Sequence, residues 1–202
     1  MTVSKKSKLR LGMIAALGIF ALLSAWAIRA HWGLSQAEHF AAAGDWAAAR
    51  KQLGWYLRLH PHDDRAHGLM ARSLASDAHL TPHAARLAIA HLSRISHESE
   101  LAASAQVDAG RLELTILHRP RHAEQHFRQA IHLEDDLFQA HFLLWKTLEL
   151  TGRSRQTESQ FWRVYDLSPE SARPSRLQEW YGCRPLLLVL EADGFLGRWI
   201  WG

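Results

Sequence analysis

Apolar residues through the middle of the chain recur every three to four positions, the period that lays one stripe along a helix. Four stretches share a stricter arrangement, in which a small residue precedes a bulky apolar one by four positions and more apolar groups follow on the same face. The first runs Gly44-Asp45-Trp46, then Ala49, Leu53, Leu57, Leu59 and Pro61. The second, weaker, has Ala85, Ile89, Leu92 and Ile95. The third has Ala123, Phe127, Ala130, Ile131 and Leu133, and the fourth runs from Gly152 through Phe161, Val164, Tyr165 and Leu167 to Pro169. With Leu53, Ile89, Phe127 and Phe161 taken as equivalent, the intervals are 36, 38 and 34 residues. A period of that length holds two helices and a turn, the unit of a helical solenoid.

Each of these helices pairs with one before it, at about Ala30 to Ala43, Asp64 to Asp77, Ala102 to Leu117 and Leu137 to Thr151. Gly44 and Gly152 are placed to end a first helix in the left-handed conformation, and Pro61 and Pro169 to stop a second one. The alanines let the two helices of a hairpin approach, and the bulky residue fills the gap to the next hairpin. No hairpin of this kind buries its own apolar face alone, so three or more must stack, and four are present.

The Gly-Asp-Trp…Ala…Leu…Leu-x-Leu-x-Pro run at 44 to 61 and the Ala123…Phe127…Ala130-Ile131-x-Leu133 run resemble the tetratricopeptide repeat family. The resemblance covers about residues 30 to 169 and implies an all-α, right-handed superhelical stack of four hairpins (30–63, 64–99, 102–136 and 137–170). The second repeat departs from the family in lacking the inter-helix glycine, with Asp77 to Pro82 in its place, and the third carries an extra loop residue around His118 to Pro120. Such proteins bind a partner peptide or helix along a groove lined by the first helices. By resemblance the groove here includes Leu34, Glu38, Arg65, Arg72, Gln139, Phe142, Lys146 and Glu149, a mixed surface suited to a peptide with apolar and charged groups. Some family members clamp a terminal carboxylate with lysines and asparagines of the first repeat. Leu34 and Glu38 stand there instead, so that clamp is absent, and Arg65 and Arg72 are the anion contacts left to consider.

Both ends of the chain differ from the repeats. Residues 11 to 28 form an 18-residue run without charge, closed by Arg29 and preceded by Lys5, Lys6, Lys8 and Arg10. At about 1.5 Å per residue the run spans roughly 27 Å, near the thickness of a bilayer core. Residues 1 to 10 therefore read as a basic cytoplasmic tail and 11 to 29 as a transmembrane signal-anchor. The positive-inside rule places the repeats beyond a bacterial inner membrane, on its periplasmic side. Ala25-Trp26-Ala27 also fits a cleavage site, although the run is longer than the usual signal core. Either reading exports the body. At the other end, residues 171 to 202 read as a capping helix, Pro174 to Tyr181, and an irregular apolar tail. Leu186 to Leu190, Asp193-Gly194 and Phe195 to Trp201 are compatible with a β-hairpin or with a strand and loop. Trp199, Ile200 and Trp201 at the end would suit partner docking, a membrane interface, or a chain that continues.

The composition narrows the function. Twenty-four Lys and Arg face twenty Asp and Glu, but four of the cations lie in the first ten residues, so the body is balanced and offers no nucleic-acid footprint. The one cysteine, Cys183, reads as a free thiol, and the usual phosphate-loop, nucleophile-elbow and zinc-protease motifs are missing. No enzyme activity and no cofactor are expected. Among the 14 histidines, His118, His122 and His126 recur every four residues. Two imidazoles one turn apart can hold a metal, but a closed site wants four ligands, so they are weak candidates. The expectation is a membrane-tethered scaffold for protein partners, at work in envelope assembly. Two alternatives are an exported metal- or ligand-binding protein using the histidine-rich helix, and the N-terminal part of a larger protein whose activity lies downstream.

Overall fold

The computed structural model describes residues 32–76, 80–180 and 182 of the 202-residue chain. These residues form antiparallel helical hairpins, and no strand occurs among them. Helix α1 (32–42) pairs with α2 (Trp46–Leu59), and α3 (Asp64–Ala75) with α4 (Pro82–Leu92). Further along, α5 (Ala102–Thr115) pairs with α6 (Pro120–Leu133), and α7 (Phe138–Leu150) with α8 (Ser154–Leu167). A 3₁₀ turn, Glu170–Ala172, then leads into α9 (173–180). The proposed anchor, Cys183 and the Trp-rich tail lie outside the described residues. Among those described, no helix is long and apolar enough to cross a membrane.

Local chemistry sets the ends of the helices. Gly44 and Gly152 follow α1 and α7 with φ of 78° and 69°, a backbone that a side chain would strain. Asp45, Asp63 and Thr81 each accept a backbone N–H of the following helix, from Ala48, Ala66 and Ala84 respectively. Pro82 and Pro120 open α4 and α6, where a missing N–H costs nothing.

Inside the stack, the small-then-bulky stripe is the core. Ala49 and Leu53, Ala123 and Phe127, and Thr157 and Phe161 are fully buried, with Tyr56, Ala130 and Val164 one turn on. In the second repeat the stripe is Ala85, Ala88 and Leu92, and Ile89, expected as the counterpart of Leu53, is only partly buried. There the buried face follows i, i+3, i+7 rather than i, i+4, i+7, which moves Ile89 to its edge. The first helices answer with small residues: Ala37, Ala71 and Gly110 are buried. A Cβ built on Gly110 would lie 2.6 Å from Phe127 Cε1, so this close approach requires glycine. The fourth repeat breaks the pattern with Trp145, fully buried against Phe161 at a ring separation of 5.4 Å.

Each apolar cluster joins one hairpin to the next. Leu53 and Tyr56 meet Ala66 and Met70; Ala85, Ala88 and Leu92 meet Ala105, Ala109 and Leu112; Phe127 meets Leu144 and Leu148; Phe161 meets Trp180 of α9. The stack is therefore quasi-one-dimensional, each repeat depending on its neighbours. Polar ties reinforce it. Glu124 of α6 receives Arg128 of its own helix and Arg153 at the start of α8. Burial alone would raise the Glu124 carboxyl, but the hydrogen bonds from the two arginines outweigh it and hold it below the usual range.

Candidate functional site

The first helices of successive repeats lie side by side and leave a groove between them. Its first compartment, about 430 Å³, lies among α1, α3 and α5 and is walled by Leu69, Leu92, Ile95 and Leu101, with Glu38 and Arg65 at one edge. The second, about 590 Å³, continues among α3, α5 and α7, with Leu80, Leu92 and Leu112 as its apolar wall. Arg72, Leu92, Ser104 and Asp108 line both, so the two are halves of one groove with Arg72 on the ridge between them. The cavity is apolar below and charged above, an arrangement that fixes a ligand by a few polar contacts over a hydrophobic floor.

The charges differ in how they are satisfied. Arg65 Nη2 bonds Glu38 Oε1 at 3.4 Å across the open face, and Arg111 Nη2 bonds Asp108 Oδ1 at 2.6 Å along α5. Arg72, exposed in the last turn of α3, has no side-chain hydrogen bond or ion pair with any described residue.

The eight residues expected to line the groove are not all brought together. Glu38, Arg65, Arg72 and Gln139 line the two compartments. Leu34 instead packs onto the core of Ala37, Leu53 and Tyr56. Phe142 is half-buried, stacked on Phe138 at 5.9 Å, and Arg176 of α9 lies 4.8 Å from its ring centre. Lys146 pairs with Glu149 at 3.1 Å and sits 4.1 Å above the Trp145 ring. The aromatic end is thus covered by α9 rather than open, because the capping helix lies over the last first-helix. Sequence reading missed the α5 wall, since the extra loop residue in the third repeat obscured its register. Its signal was present as Ser104, Asp108, Arg111 and Thr115, a polar stripe at helical spacing along α5.

The three histidines considered for metal do not converge. His118 lies before α6 in a left-handed conformation (φ 53°), and His122 is exposed. His126 Nδ1 is committed to Gln106 Oε1 at 2.7 Å, and burial lowers its pKa, partly opposed by Glu113 and helped by His122. Among the described residues, no group of three or more His, Cys, Asp or Glu is placed to hold a metal ion.

Solved structures of MamA share this fold. One superimposes with a TM-score of 0.62 at 12% identity, covering 82% of this chain and 94% of the other. A second gives 0.52 at 14% identity over 78% and 96%, and MamA MSR-1 C2 gives 0.56 at 14% identity over 68% and 76%. The fold is TPR-like. At such identity the likeness concerns the fold. No protein-family model and no curated protein matches the sequence.

Proposed function

We propose that the chain is a non-enzymatic scaffold that receives a segment of a partner protein in the groove of α1, α3, α5 and α7. We further read it as tethered to a bacterial inner membrane through residues 11 to 29, with the repeats on the periplasmic side, close to where envelope proteins emerge. The observation that supports partner binding is the continuity of the groove. Its two compartments share four residues and run from the first repeat to the fourth, longer than a small metabolite needs and suited to an extended or helical peptide. Support for the tether comes from the charge pattern of the first 29 residues. The absence of nucleophile, phosphate-loop and metal-protease motifs supports a binding role.

Site-resolved photocrosslinking of the full chain in native membranes tests this reading. A crosslinker replaces Ser104, which lines both compartments from an exposed position, or Arg86, exposed on α4. A defined adduct from position 104 alone, abolished by blocking the groove with Ala42→Trp, is the expected result. Equal adducts from both positions, or none, overturn the groove as the working surface. Protease added outside spheroplasts is expected to degrade the repeats; protection would overturn the periplasmic placement.

A further inference from the structure

We propose that the groove selects a partner segment bearing one carboxylate flanked by aliphatic side chains, with Arg72 receiving the carboxylate; this rests on the groove being the binding surface. The groove carries Arg65, Arg72 and Arg111 against Glu38 and Asp108. Two of the arginines are already matched within the groove, Arg65 by Glu38 and Arg111 by Asp108. One positive charge is left over, and it belongs to Arg72. Its guanidinium has no partner among the described residues, so binding an anion there breaks no existing bond. It also stands on the ridge shared by the two compartments, so a ligand carboxylate held there has an apolar wall on each side: Leu69, Ile95 and Leu101 on one, Leu80 and Leu112 on the other.

Position and charge together specify the ligand. A planar guanidinium takes a carboxylate through two parallel N–H donors, which fixes its orientation as well as its sign. The aliphatic walls favour leucine-like neighbours on both sides over a run of acids. Asp108 on the same ridge disfavours a second negative charge next to the first. A basic segment would meet Arg72 without compensation, and uncompensated like charge is how a surface rejects wrong partners.

The test is selection of a random dodecapeptide display library on the detergent-solubilised full chain, repeated with Arg72→Glu. Arg72 is exposed and makes no side-chain bond, so the substitution leaves the fold intact, which far-ultraviolet circular dichroism verifies. The expected result is enrichment of peptides with one Asp or Glu between aliphatic residues on the wild type, and of Lys or Arg at that place on Arg72→Glu. A selected acidic peptide is expected to lose about tenfold or more in affinity to Arg72→Gln. Peptides displaced by Ser104→Trp but lacking a shared carboxylate, or unchanged between wild type and Arg72→Glu, would overturn the charge assignment and leave the groove standing. No peptide displaced by Ser104→Trp would overturn both readings. A full chain that self-associates, and dissociates on Ser104→Trp, would assign the groove to a second copy and overturn the proposal.

Discussion

The first three repeats and the last one solve the same packing problem with different materials. From α1 to α6, bulky residues of the second helices sit against small ones of the first: Leu53 near Ala37, Phe127 on Gly110. The first helices of this region bound an open groove. In the last repeat, Trp145 takes the small residue's place, and Phe161 lies between it and Trp180, stacked on Trp180 at 4.8 Å and 11°. Here α9 covers the surface, with Arg176 over Phe138 and Phe142. Among the described residues, α9 lies on the apolar face that the last repeat would otherwise expose. Aromatic bulk and a short helix cover this face; small residues keep the middle narrow.

The sharpest way to break this contrast is to remove the central ring of the closed end. Phe161→Ala is expected to cost about 3–5 kcal/mol, the range for a fully buried phenylalanine, and to release α9. Amide exchange should then quicken through 173–180 and α8 while α2 and α3 keep their protection, as a one-dimensional stack allows. Equal loss of protection at both ends would show that the two regions are one cooperative unit.

The middle is expected to respond to addition instead of removal. Gly110→Ala gives the helix a better former, worth about 1 kcal/mol, but drives a methyl into the fully buried Phe127 ring. A net loss of about 1–2 kcal/mol in urea unfolding is expected, recovered by Phe127→Leu in the same chain. A neutral or stabilising Gly110→Ala would mean that the helices have slack at their closest approach, and the contrast with Trp145 would fail.

What could be read from the sequence follows from which of these features are local. The left-handed glycines at 44 and 152, the caps at Asp45 and Asp63, and the Ala-to-Phe stripe of α6 depend on residues within one or two turns, and the spacing carries them. The wall of the groove on α5 does not, because its register passes through the irregular His118-Arg119 connection. The covering of Phe142 requires knowing that α9 lies across α7, a contact 34 residues away in sequence between Phe142 and Arg176. Half of the groove was therefore legible as a set of positions on helices, and its division into an open and a closed end was not. The free charge of Arg72 belongs to the same class, since an ion pair or its lack is decided by neighbours from other repeats.

The smallest effect distinguishes the two regions by chemistry rather than bulk. His67 of α3 and His141 of α7 are both buried and do the same job. Each donates Nε2–H to a carbonyl six residues earlier, Pro61 O at 3.0 Å and Asp135 O at 2.7 Å, and so presents Nδ1 as an acceptor. In the closed end that acceptor meets the amide of Gln160, which does not titrate. In the open region it meets His91 Nδ1 at 2.9 Å, which must donate and so holds the His91 proton there. Burial, then His67 and Arg94, push His91 down to about 4. A histidine whose folded pKa lies below its unfolded value near 6.5 binds fewer protons when folded. Its contribution is therefore intact above pH 6.5 and is lost as pH falls towards 4, with a slope of at most about 1.4 kcal/mol per pH unit and less for a half-exposed ring. His91→Gln copies the arrangement of the closed end, keeping a donor for His67 Nδ1 and removing the titration. It is expected to match the wild type in urea midpoint at pH 7.5 and to exceed it at pH 5. If the two proteins lose stability in parallel between those pH values, the histidine pair is not what makes the open region acid-sensitive.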